Sequence, residues 1–79
     1  MKKVFDKKIN GVNYTFYRSP LFGEIVYNVS ILQDDQATVF IMRKKQGGWK
    51  IVRQDDLPEF VYKSEHSLDD TLLENEGMN

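Results

Sequence analysis

The chain of 79 residues contains no cysteine, which excludes a disulfide framework, a thiolate nucleophile and a zinc–thiolate site. It contains one histidine, His66, which lies in a polar stretch between two helical segments. A solvated side chain is the expectation there, rather than a general base. We therefore expect no catalytic residue and no enzyme activity.

Long apolar runs are also missing. The longest unbroken run is the four residues 39–42, whereas a membrane span needs about 20. Charged and polar residues occur throughout the first 20 positions, so the apolar centre of a signal peptide is not found there. The sequence predicts a cytoplasmic protein without a membrane segment.

Motifs for metal ions and phosphates are lacking as well. Three pairs of aspartates occur where a turn or a helix cap already explains them, and none has the spacing of a calcium loop. These pairs are Asp34-Asp35, Asp55-Asp56 and Asp69-Asp70. Gly47-Gly48 suits a hairpin and lacks the Lys-Ser or Lys-Thr of a phosphate loop. We therefore expect no metal and no cofactor.

The residues that are present describe a single small globular domain over residues 1–79, with 41% hydrophobic and 29% charged residues. The net charge of −1 hides an uneven distribution. Residues 1–54 carry ten positive and four negative charges, and residues 55–79 carry one positive and eight negative charges. This pattern predicts an acidic helical segment beside a basic sheet, or a basic sheet surface that attracts an anionic polymer.

Residues 1–54 predict five strands. Asn10-Gly11 lies between the strand-like segments 3–9 and 12–18 and favours a type I′ hairpin, because both turn residues tolerate positive φ. Residues 24–33 alternate between apolar and polar, and Asp34-Asp35 and residues 46–49 supply the next turns. Residues 19–23, which include Pro20, are expected to form a loop. Short turns between successive strands predict an antiparallel meander.

Residues 55–76 predict helical structure, because their apolar residues recur at helical spacing with a gap at Ser64. Asp55 or Asp56 is the expected N-cap of the segment. Either one helix covers about 58–75, or a first helix ends near Lys63 and a second begins at Leu68 behind an N-cap at Ser67; two helices are favoured. Residues from Glu76 onward, and the tail 77–79 in particular, are expected to fray.

The first face of the predicted sheet collects thirteen apolar residues, which predict a core covered by the helical segment. They are Phe5, Ile9, Val12, Tyr14, Phe16, Ile25, Tyr27, Val29, Ile31, Phe40, Met42, Trp49 and Ile51. Leu57, Phe60, Val61, Leu68 and Leu72 are expected to cover them. The predicted fold is a two-layer α+β domain, a five-stranded antiparallel meander with a C-terminal helix or helix pair on one face.

The second face raises the question of function, because it also carries apolar residues. They are Val4, Tyr17, Val26, Leu32, Ala37, Val39, Ile41 and Val52. We expect Tyr17, Val26, Val39, Ile41 and Val52 to form one patch. Such a patch indicates an interface; the alternatives are a face left in water and a sheet whose rim closes over it. The main hypothesis is a non-enzymatic interaction domain that pairs with itself as a homodimer or binds another protein.

Two further hypotheses stay open at this point. A basic sheet with an exposed aromatic residue is a platform for single-stranded nucleic acid, for which Lys8, Tyr17, Arg43 and Lys50 are the candidate contacts. The slightly acidic net charge disfavours it, because nucleic-acid-binding domains are usually strongly basic. A small apolar molecule between the sheet and the helical segment is the third hypothesis.

Overall fold

The predicted α+β architecture is confirmed. The computed structural model describes residues 1–77, which form a five-stranded antiparallel meander, curved as a half-barrel, followed by two helices. The elements are β1 (Val4–Ile9), β2 (Val12–Leu21), β3 (Glu24–Gln33), β4 (Gln36–Lys45), β5 (Gly48–Ile51), α1 (Glu59–Lys63) and α2 (Glu65–Asn75). Neither helix is long and apolar enough to cross a membrane.

The register of the sheet follows from two-residue turns. Asn10 and Gly11 have φ of 51° and 80°, as a type I′ turn requires, and Ile9 pairs with Val12. The turn at Asp34-Asp35 also has two positive φ values. The last hairpin turns at residues 46–47, because Lys45 pairs with Gly48. Since the side-chain period is two, these turns decide which residues face the helices.

The loop expected at residues 19–23 is wrong. β2 continues through Pro20 to Leu21, and the turn consists of Phe22 and Gly23 alone. Arg18 donates its backbone N–H to the carbonyl of Lys3 at 2.8 Å, on the β1 side of the strand. Pro20, two residues later, directs its nitrogen to the same side, beyond the first residue of β1. Its missing N–H therefore leaves no ladder bond unmade.

The core lies between the first face and the helices, as predicted. Ten of the thirteen first-face residues are buried, and Phe5, Val12 and Ile25 are partly buried against them. Leu57, Val61, Leu68 and Leu72 are buried from the helical side. Tyr27 meets Trp49 edge to face, with ring centroids 5.0 Å apart. This layer holds most of the buried apolar surface and hence most of the hydrophobic stabilisation.

The helical segment differs in detail from the prediction. Two helices are present, but α2 begins at Glu65, three residues before the predicted start. Ser64 alone separates the helices; it is buried, and its hydroxyl donates to the carbonyl of Phe60 at 3.0 Å, which holds a tight corner. Pro58 occupies the N-cap position of α1, where no side-chain hydrogen bond forms, so neither Asp55 nor Asp56 caps that helix. Ser67 lies inside α2 and caps nothing.

The C-terminal end of α2 is tied to the sheet by Glu76, the first residue of the segment expected to fray. Glu76 accepts hydrogen bonds from both Arg18 nitrogens, Nε at 2.7 Å and Nη2 at 3.2 Å, and from the hydroxyl of Tyr27. The Arg18 guanidinium lowers the pKa of Glu76, and burial raises the pKa of Tyr27 to about 12, helped by its hydrogen bond to Glu76. Asn75 binds both backbone groups of Lys2. The rest of the expected tail, residues 78–79, lies outside the described residues.

Candidate functional site

The second face is the side of the sheet that the helices leave uncovered. Four strands and the residue that follows β5 contribute to one row, which we call the central row: Val4, Tyr17, Asn28, Ile41 and Val52. Val4 and Tyr17 are 49% and 57% exposed, and Ile41 is half-buried. Val39, in the next row, is 53% exposed. Apolar side chains therefore face solvent on both halves of the sheet.

A polar seam on β3 divides this surface. Asn28 separates Tyr17 from Ile41 in the central row, and its side-chain amide donates to the hydroxyl of Ser19 at 3.0 Å. In the next row Ser30 stands between Thr15 and Val39. The apolar group on β4 and β5 is therefore separate from Tyr17, and the predicted single patch is two neighbouring groups.

Val26 does not belong to the exposed surface, although its position in β3 places it on the second face. Its side chain is 1% exposed. Arg43 is its cross-strand partner, and Glu24 precedes it by two residues on the same face. Arg43 donates to Glu24 at 2.9 and 3.1 Å, so this ion pair lies directly beside Val26. Val26 is thus unavailable to a partner, unlike Tyr17, Val39, Ile41 and Val52.

A cleft opens at the end of the second face where the β2–β3 turn lies. Its volume is about 290 Å³. It is lined by Leu21, Phe22, Glu24, Ile41, Arg43 and Val52. Its walls are mainly aliphatic, and the Glu24–Arg43 pair supplies the polar rim. Ile41 and Val52 thus belong to the central row and also line this cleft.

Phe22 is the residue that sequence reasoning missed. It is 97% exposed and has φ of 50° at the first position of a type I′ turn. Asn10 and Asp34 hold the same position in the other two such turns, and Asn and Asp tolerate this backbone far better than a bulky residue does. The sequence contains a signal for this turn. Two strand-like segments are separated by Phe-Gly, at a place where a hairpin normally has Asn-Gly.

Of the candidate nucleic-acid contacts, Lys8 lies apart from the others, whereas Tyr17 is in the row next to that of Arg43 and Lys50. Arg43 is neighbour to Lys50 across β4 and β5, but its charge is engaged by Glu24, which raises the pKa of Arg43. Lys8 pairs with Asn13, six residues along β2 from Ser19, whose row contains Arg43. At about 3.3 Å per residue, Lys8 lies about 20 Å from that row along the strands. The nucleic-acid hypothesis stays a prediction.

Two other locations bear on ligand binding. A cleft of about 280 Å³ lies between the β1–β2 turn and the helix corner, with Ile9, Val12 and Phe60 among its lining residues. The small-molecule hypothesis stays a prediction at this place. Within residues 1–77, the ligand atoms of His66, Asp69 and Asp70 lie within 4.8 Å of one another on α2.

That group on α2 has structural roles that account for it. Asp69 accepts the backbone N–H of Trp49 at 2.6 Å, and His66 and Asp70 form an exposed pair one helical turn apart. Exposed acidic groups of this kind are common on helices, so we assign no metal to them.

Comparisons with known proteins add no relative: no protein-family model, no curated protein and no solved structure matches this chain. Inferences about function therefore depend on the geometry of the chain itself.

Proposed function

We propose that the chain is a small non-enzymatic interaction domain, and that its second face pairs with a second copy of the chain. The observation that carries this proposal is the exposure of Val39 and Val52 on the β4 side of the polar seam, beside a cleft and a fully exposed Phe22, with Tyr17 exposed as a second group across the seam. Exposed apolar surface of this kind marks interaction sites on small folded proteins.

Strand propensity alone explains part of this surface. Val4, Val39 and Val52 are β-branched, and such residues occur on exposed strands without any partner. Propensity does not explain Phe22, which lies in a turn, or Leu21, which is exposed at the wall of the cleft. These two residues extend the apolar surface beyond the sheet, and they favour an interface over a bare strand face.

The charges of the second face favour a protein partner over an anionic polymer. Asp6 and Glu24 share this face with Lys8, Arg43, Lys45 and Lys50, and Asp6 accepts a hydrogen bond from Thr15 at 2.8 Å. Glu24 pairs with Arg43, and Lys8 lies at the opposite end of the sheet from Lys45 and Lys50, so the surface lacks the concentrated positive field on which binding of a phosphate backbone depends. A surface of mixed sign also lets two copies approach without strong repulsion.

The test compares two lysine substitutions on the same face. We expect Val39→Lys to keep the fold, because the residue is half exposed, and to weaken self-association at least tenfold, because a charge would be buried at the interface. Asn13→Lys is the matched control: it adds the same charge on the same face, at an exposed position toward the β1–β2 turn. Sedimentation velocity over a range of concentrations measures both. Equal association of the two variants would contradict the proposal.

A further inference from the structure

We propose that the phenyl ring of Phe22 from one copy occupies the cleft beside Phe22 of the second copy, so that two copies exchange these rings about a two-fold axis. This inference rests on the proposed function and names the residues that make the contact. It concerns the end of the second face at the β2–β3 turn, where the cleft and Phe22 lie side by side.

The first reason is that the side chain of Phe22 adds almost no packing to the isolated chain. Its ring is almost wholly in solvent, and its backbone takes a left-handed conformation that disfavours a bulky side chain. Asn10 and Asp34 fill the equivalent turn positions with side chains that suit this conformation. A strained, exposed aromatic residue is the feature that functional constraint produces and that fold stability does not.

The second reason is the size and chemistry of the cleft. A cavity of about 150 Å³ lined by aliphatic side chains holds a benzene molecule. The cleft measures about 290 Å³, and Leu21, Ile41 and Val52 supply aliphatic walls. It is therefore large enough for one phenyl ring, and its own Phe22 lies at its edge without filling it, because that residue is 97% exposed.

The third reason is that the rim is self-complementary in charge. Glu24 and Arg43 lie side by side on it, one acid and one base, joined by two hydrogen bonds. A two-fold axis that passes between Glu24 and Arg43 brings Glu24 of each copy toward the partner's Arg43, and opposite charges then face each other. The same two-fold rotation places the protruding Phe22 of each copy at the cleft of the other copy.

The area available indicates a weak dimer. A buried aromatic ring covers about 150–250 Å², and Leu21, Ile41 and Val52 are already partly covered. Each copy thus offers well below the roughly 800 Å² per partner of a stable complex. We expect association in the range of tens to hundreds of micromolar, which requires measurement at high protein concentration.

Sedimentation equilibrium of the wild type and two variants tests the inference. Phe22→Asn removes the ring and places a favoured residue in the turn, so the melting temperature should stay equal or rise while the dimer dissociation constant increases at least tenfold. Leu32→Asn is the control, because Leu32 is also a strongly exposed apolar residue but does not line the cleft. Its dissociation constant should equal that of the wild type.

Methyl NMR locates the contact. In the wild type, the methyl signals of Ile41 and Val52 should move upfield with concentration, because a phenyl ring enters beside them, and in Phe22→Asn they should not. If Val39→Lys disrupts the dimer while Phe22→Asn does not, the inference is wrong and the proposed function stands. If Phe22→Asn disrupts the dimer but these methyl signals never respond, the ring binds elsewhere and the inference is wrong. A wild type that stays monomeric at millimolar concentration overturns both.

Discussion

The carboxylate of Asp69 on α2 accepts the backbone N–H of Trp49 on β5 at 2.6 Å. One helical turn earlier, Glu65 accepts the N–H of Ile51 at 2.8 Å. β5 is the last strand of the sheet, so these N–H groups point away from β4 and would otherwise remain unpaired. Two carboxylates at i and i+4 thus take the place of a sixth strand, and they fix α2 at the open side of the half-barrel.

Removing the Asp69 carboxylate should therefore destabilise the fold. We expect Asp69→Ala to lower the free energy of unfolding by about 1–3 kcal/mol, because the N–H of Trp49 loses its charged acceptor in a partly buried place. Asp70→Ala is the matched control, because Asp70 is exposed on the same helix and faces only His66. Urea denaturation measures both. If both variants lost the same free energy of unfolding, the hydrogen bond from Trp49 to Asp69 would not be the cause.

The same carboxylate leaves room only for glycine at position 48. A Cβ at this position would lie 2.8 Å from both oxygens of Asp69, and φ of 155° is itself unusual for other residues. Gly48→Ala should cost roughly 1–3 kcal/mol, because the carboxylate must shift away from Trp49 and the backbone is strained.

The double variant separates these two causes. In the background of Asp69→Ala, the cost of Gly48→Ala should fall to the backbone strain alone, so the two substitutions should be less than additive in urea denaturation. Strict additivity would mean that Gly48 and Asp69 act independently.

The Arg18–Glu76 pair should make stability depend on acid pH. Arg18 holds the pKa of Glu76 below its ordinary value of 4.5, so the ionised carboxylate is favoured in the folded chain. A lowered folded pKa gives stability that is complete above 4.5 and is lost as the pH falls through the folded pKa. Glu76→Gln should be less stable than wild type by about 1–3 kcal/mol at pH 7. The two should converge toward pH 2.

Thermal unfolding at a series of pH values measures this difference. Glu74→Gln, an exposed position on the same helix, is the control and should parallel the wild type at every pH. A constant gap between wild type and Glu76→Gln from pH 7 to pH 2 would contradict the linkage.

The sequence predicts the sheet well because its signals are local. Asn10-Gly11 determines the register of the first hairpin, and strict alternation in residues 24–33 aims Tyr27 and Val29 at the core. Proline and glycine near residue 20 lead to the wrong prediction of a loop, because the same residues also occur in a strand that ends in a tight turn. A strand is possible only if the nitrogen of Pro20 points to a side where no neighbouring strand needs an N–H, and that depends on where β1 begins.

The features of the candidate site depend on three-dimensional placement that no local pattern contains. The Glu24–Arg43 ion pair beside Val26 requires two strands to be paired in register, and the cleft requires Leu21 and Phe22 to lie near Ile41 and Val52. The carboxylates of Glu65 and Asp69 look like ordinary solvated helix residues until α2 is placed against β5. The apolar content of the second face follows from alternation, but its division at Asn28 follows from the register of β3 between β2 and β4.

The mass of the wild-type chain in solution is the most direct test of the central claim, that the second face pairs two copies. Sedimentation equilibrium from ten micromolar to one millimolar should show a reversible rise from the 9.3 kDa monomer toward twice that mass. Val39→Lys should stay folded and should need at least tenfold higher concentration than the wild type for the same rise in mass. A wild type that keeps the monomer mass throughout would contradict the account.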